Sequence, residues 1–227
     1  MNRPVASLSA AERAALERSI GVDRLVGYVA AAGDDEIRAL DLYLWNMSVS
    51  AACFEDLCLL EVTLRNACHV QLRTWHAAKG HATPWYFTTE LEPRHMADIA
   101  RARERVQQGR NEETEGRVVS ELMLGFWRLL HAKAYEHTLW RDVLRFAYPH
   151  QPVADRAQVY DRLDHVNTLR NRIAHHEPIH RSTVGRTSLD LAAIHTELQD
   201  VLKWIDKDLY AWLLTESRVP ALLTIKP

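Results

Sequence analysis

Between Asp34 and Trp75 the chain carries neither glycine nor proline, so nothing there forces the backbone out of one continuous helix. Small and apolar residues recur at three- and four-residue spacing, which predicts a long amphipathic helix with Ser48-Val49-Ser50 as the place for a break. Such a helix must find neighbours along its whole apolar side, so the chain has to supply several more helices. Breakers are scarce elsewhere too: 8 glycines and 8 prolines in 227 residues are too few for a turn-dense sandwich. No segments read as paired strands. The expected fold class is all-α, a helical bundle.

Start and stop signals place the other elements. Ser9 and Glu12 form a capping box that opens a first helix, and Gly21 closes it. A second helix runs from Val22 to Ala32 and stops at Gly33. Pro84-Trp85-Tyr86-Phe87 reads as a loop. Glu92 to Gln108 forms a polar helix in which Arg94, Arg101, Arg103 and Arg105 are opposed by Glu92, Asp98 and Glu104. An acidic connection at 111–116 leads into one or two buried helices between Arg117 and Phe146. Asp155 to about His176 is a helix that Pro178 terminates. A last helix spans Ser188 to Leu214, with Leu191, Ile194, Leu198, Val201, Ile205, Leu209 and Trp212 in one stripe.

Cys53, Cys58 and Cys68 form no C-x-x-C pair and leave an odd thiol, which suits a reducing compartment. Glu12 and Glu17 stand where a signal peptide needs an apolar core, and no run reaches the ~18 apolar residues of a membrane span. The expectation is a cytoplasmic protein without a membrane partner. No metal site or cofactor is expected: His175 and His176 are adjacent and diverge, H-E-x-x-H is absent, and His131 and His137 lie too far apart around a helix.

Two helices break their own apolar pattern with charge. Turning 100° per residue from Val159 puts Leu163, Val166, Leu169 and Ile173 in one stripe, and Arg170 lands inside it, roughly 20° from Val159. A buried guanidinium keeps its proton and needs an anionic partner. In the long helix, Cys53, Leu57, Leu64, Cys68 and Leu72 form a stripe with Glu61 near its middle and Arg65 at its edge. The expectation is that Glu61 neutralises Arg65, Arg170 or both across the bundle.

Around Arg170 the sequence collects Asn171, Arg172, His175, His176, His180 and Arg181. Asn171 and His175 lie roughly 40° apart, so a hydrogen bond between them can orient the imidazole. Both His175 and His176 sit in the last turn of their helix, and either can serve in proton transfer. The plain alternative for His176, His180 and Arg181 is an exposed polar helix end. Net charge is −2, but Asp161 to Arg186 carries a local +2 and four histidines, enough for a small anion-binding patch.

The segment Leu169-Arg170-Asn171-Arg172-Ile173-Ala174-His175-His176 resembles the R-x4-6-H signature of the HEPN superfamily, and more narrowly its Abi-like (abortive infection) branch. Glu61-x-x-x-Arg65-Asn66 and Val119 to Trp127, leading to Tyr135 and Trp140, are similar to two further segments of that branch. The likeness spans about Leu40 to Leu214. It implies a HEPN-like helical bundle over 34–217, with 1–33 an N-terminal helical extension and 218–227 a tail.

It also implies a homodimer, and in many members a metal-independent endoribonuclease acting in toxin or antiviral defence systems, with RNA as substrate and an antitoxin or regulatory protein as partner. In that chemistry the ribose 2′-OH attacks the adjacent phosphorus. His175 would then be the acid/base, Arg170 the phosphate-binding charge and Asn171 the orienting residue. His176 would be an additional candidate, with Glu61, Arg65 and Asn66 supporting the site and Arg172, His180 and Arg181 contacting RNA. An inward Arg170 reaches the His175 face poorly, so either the helix loosens at its end, the arginine is structural, or the site is completed across a dimer. The rival reading is a non-catalytic HEPN-type dimer that binds RNA or a protein without cutting.

Overall fold

The structure is a computed structural model that describes residues 4–88, 90–110, 112–180, 182–184 and 187–227. The class is all-α. The described helices are α1 (Ala10–Ile20), α2 (Val22–Ala31), α3 (Glu36–Ala78), α4 (Pro93–Gln108), α5 (Glu115–Ser120), α6 (Leu124–Leu130), α7 (Arg156–Ala174), α8 (Leu191–Ile205), α9 (Lys207–Glu216) and α10 (Val219–Thr224). A small antiparallel ribbon, β1 (Ser182–Val184) with β2 (Thr187–Leu189), corrects the expectation of no paired strands. Three-residue strands are too short to show a period in sequence.

α3 runs for 43 residues, about 65 Å at the α-helical rise, without the break considered at 48–50. The Ser48 hydroxyl donates back to the Leu44 carbonyl at 3.1 Å, and Val49 is fully buried, so neither residue interrupts the helix. Asp35 starts it by accepting the Arg38 N–H. Cys53, Leu57, Leu64, Cys68 and Leu72 are all buried, joined by Trp45, Val49 and Leu60. Burying each large aliphatic chain is worth about 1.5–3 kcal/mol, so this stripe makes α3 the axis on which α2, α6, α7, α8 and α10 pack.

The capping box of α1 forms as expected, with Glu12 accepting the Ser9 N–H at 2.8 Å. Gly21, at φ +83°, ends α1 and opens α2, a conformation that costs glycine little. The flanks of 34–217 share the central core. Tyr28 and Val219 belong to its buried cluster, the Val5 N–H donates to Asp41 at 2.9 Å, and the Trp45 indole donates to the Leu222 carbonyl at 2.8 Å. The segment expected as a tail is thus ordered as α10.

Between 117 and 146 the expectation of one or two helices is corrected. α5 starts inside the acidic connection, capped by Thr114, and after α6 the chain makes 3₁₀ turns at Lys133–Tyr135 and Leu144–Ala147 around a π-helical turn at Glu136–Trp140. Buried polar pairs take over from helical bonding here. His131 uses one ring nitrogen with the Trp127 carbonyl and the other with the Tyr148 hydroxyl, both at 2.8 Å. The Tyr135 hydroxyl meets His95 and accepts the Glu92 N–H, also at 2.8 Å. Burial pushes both imidazoles down to about 4.

The last predicted helix is also divided. Asp206 is extended and caps α9, accepting the Asp208 and Leu209 N–H groups at 2.9 Å. The break rotates the second half, so Leu213 is buried and Trp212, placed in the stripe from sequence, is 53 % exposed. Among the described residues no helix is long and apolar enough to cross a membrane.

Candidate functional site

α7 is capped by Asp155 and buries Val159, Leu163, Val166 and Leu169, the stripe read from sequence. One residue later the core gives way. A cleft of about 610 Å³ opens between α2, the middle of α3 and the end of α7, and Arg170 lines it. Arg170 is therefore half-buried, not enclosed, and it makes no ion pair or hydrogen bond among the described residues. This corrects the expectation of a core guanidinium neutralised by Glu61. Arg170 lies on the inward side of α7, but the helix borders a cleft at that point, where water can solvate the charge. The charge is felt by the exposed Cys58 thiol, which partial burial and Glu61 push up and Arg170 pulls down.

Glu61 is engaged elsewhere. Its carboxylate accepts the Leu124 N–H at 3.0 Å, supplying from α3 an acceptor that the start of α6 lacks locally. Arg65 donates to the Ser120 carbonyl at 3.3 Å, and Asn66 is exposed. Among the described residues Glu61 forms no ion pair with Arg65 or Arg170. These α3 groups hold α5 and α6 in place and do not line the cleft.

The end of α7 separates the two adjacent histidines. The helix stops at Ala174, earlier than expected, and His175 is its C-cap. His176 takes a left-handed conformation at φ +56°. Its N–H donates to the Ile173 carbonyl at 3.0 Å and the Glu177 N–H to the Arg172 carbonyl at 2.8 Å, a Schellman pair. Glycine usually holds that position, and here a histidine does. The turn places His176 in the lining of the Arg170 cleft. Arg24 of α2 secures it by donating to the His176 carbonyl at 3.2 Å.

His175 and Asn171 are both exposed and are not part of this lining. Backbone groups join them, the His175 N–H donating to the Asn171 carbonyl at 2.9 Å, but among the described residues no side-chain hydrogen bond does. The surrounding basic patch is smaller than its sequence count. Arg172 lies 3.4 Å from the Glu177 carboxylate. His180 is half-buried with its ring 4.9 Å from Tyr28. Arg181 lies outside the described residues.

Residues that no motif singled out complete the cleft: Arg24 and Tyr28 from α2, and Tyr43, Asn46, Ser50 and Phe54 from α3. Asn46 is buried and accepts the Ile179 N–H at 2.8 Å, pinning the segment after α7 onto α3. Burial, and then the neighbouring Tyr43, push the Tyr28 hydroxyl up to about 12 against a smaller opposing effect of Arg24, so it stays protonated. Only Asn46 carried a sequence signal, a polar residue inside an apolar stripe. The cleft lining thus includes two arginines, a histidine, two tyrosines and a phenylalanine, a residue set suited to a phosphate attached to a planar group. No family of known proteins, no curated protein and no solved structure matches the chain.

Proposed function

We propose that the chain is a metal-independent endoribonuclease of the Abi-like HEPN type, acting as a toxin or abortive-infection effector. The observation that carries the reading is Arg170, which has no carboxylate partner among the described residues, lining one cleft with His176 at a spacing inside R-x4-6-H. His176 takes the acid/base role, since it and not His175 shares that cleft. A neutral imidazole nitrogen accepts the 2′-OH proton while the 2′-oxygen bonds to phosphorus and the bond to the 5′-oxygen breaks. The proton passes to the departing 5′-oxygen, leaving a 2′,3′-cyclic phosphate and a 5′-hydroxyl. Arg170 stabilises the charge that builds on the phosphoryl oxygens. The nucleophile belongs to the substrate, so this step calls on no metal.

A homodimer belongs to the same reading. Met47 and Phe54, beside the cleft on α3, are 42 % and 46 % exposed, and a second copy covering them would also shield the cleft from water.

The test is incubation of the purified protein with mixed RNA in EDTA, beside His176→Ala, His175→Ala and Arg170→Ala variants, with analysis of product ends. Cleavage to cyclic phosphate ends, lost in His176→Ala and Arg170→Ala, is the expected result. Loss in His175→Ala alone moves the acid/base role to His175. Binding without cleavage under every condition turns the reading to the non-catalytic module. Sedimentation velocity, with Phe54→Glu as the disrupting variant, tests the dimer.

A further inference from the structure

α2 lies outside the stretch that resembles a known family, yet it forms one wall of the cleft. Arg24 and Tyr28 are one helical turn apart and share a face, and both line the cavity with Arg170 and His176. Tyr28 is 1 % exposed, its ring held edge-to-face against Tyr43 at 5.3 Å and tilted against His180 at 4.9 Å. Its hydroxyl makes no hydrogen bond among the described residues. The hydroxyl is not one of the enclosed polar atoms that lack a partner, so it opens onto the cleft, and a phenylalanine would fill the same space without offering a donor there. The fold needs the ring and does not need the hydroxyl.

Arg24 repeats the pattern. It is exposed, lines the cleft, has no ion pair among the described residues, and spends one donor on the His176 carbonyl, leaving the rest of its fork without a protein partner among them. Two arginines from different helices therefore line one cavity, and no carboxylate residue is among its described lining. A phosphodiester would neutralise the pair and accept from both.

We infer that α2 is part of the phosphodiester site, with Arg24 as a second phosphate-binding cation and the Tyr28 hydroxyl as a hydrogen-bond donor to the reacting phosphate. The inference rests on the cleft being the RNA-cutting site proposed above. Tyr28 is suited to donate without ionising, because burial keeps its proton in place.

The experiment measures affinity for a 2′-O-methyl RNA 12-mer, whose blocked 2′-oxygens prevent cleavage, over a range of salt, together with kcat and KM on the cleavable RNA. Arg24→Gln should weaken binding about tenfold and make the slope of log affinity against log salt shallower by about 0.7, the loss of one phosphate contact on a single strand. Arg24→Lys should recover most of both. Tyr28→Phe should bind within about twofold of wild type and lose about 10- to 100-fold in kcat, as when one donor to a developing oxyanion is removed. Arg24→Gln with an unchanged slope, or Tyr28→Phe with wild-type kcat, overturns the corresponding assignment, leaving α2 as packing only. Wild type that neither binds nor cuts overturns the reading of the cleft itself.

Discussion

Replacing His176 by glycine should make the protein more stable and, on the proposed function, unable to cut RNA. His176 sits at φ +56°, where a side-chain-bearing residue is disfavoured by about 1–2 kcal/mol relative to glycine. Glycine gives back part of that gain through its freer unfolded chain, about 0.5–1 kcal/mol. The exposed imidazole makes no hydrogen bond among the described residues, so little contact energy is lost. The balance is a stabilisation of about 0.5–1 kcal/mol, or about 1–4 °C in Tm for a chain of this size. His175→Gly is the internal control. His175 has φ −92°, where glycine brings no relief of strain, so that variant should lose about 0.5–1 kcal/mol. Thermal unfolding followed by circular dichroism, run beside the RNA cleavage assay, reads both effects. A His176→Gly protein less stable than wild type would refute the strain argument, and one that still cuts RNA would remove the imidazole from the chemistry.

Acid should destabilise the fold through His95 and His131, which burial holds near 4 against an unfolded value of about 6.5. The unfolded chain binds more protons than the folded one in that window, so stability is full above about pH 6.5 and falls as pH drops toward 4. The loss at pH 5 is about 2 kcal/mol for each imidazole, measurable as a urea midpoint against pH and reduced in His95→Gln if the assignment holds. Glu61→Ala should cost about 1 kcal/mol by leaving the Leu124 N–H without its acceptor, whereas Glu61→Gln, which keeps an acceptor oxygen, should cost much less in chemical denaturation. Equal losses in the two variants would restore a role for the negative charge. Asp56→Ala should cost about 3 kcal/mol, because this buried carboxylate bonds His195 at 2.8 Å and Ser217 at 2.6 Å, joining α3 to α8 and to the turn before α10. A denaturant midpoint within error of wild type would show that the two partners re-pair without it.

What the chain determined locally was its helical content and the face each helix buries. The capping box at Ser9, the Asp155 start of α7 and the stripe from Cys53 to Leu72 all depend on residues within a few turns of one another. The continuity of α3 is legible for the same reason. The misplaced Arg170 was visible too, since a 100° rotation per residue is a local rule. Its surroundings were not. Whether an inward charge meets a carboxylate, a core or water depends on where other helices stop, and here α2, α3 and α7 leave a cleft at that point. Glu61 is the same lesson from the other side: its phase was right, but its partner, the Leu124 N–H, is 63 residues away in sequence. The split between His175 and His176 turns on a single left-handed residue that the chain holds with Arg24, a contact across 152 positions. Periodicity reports which side of a helix is apolar, whereas only the packing of distant segments decides which polar groups on that side share a cavity.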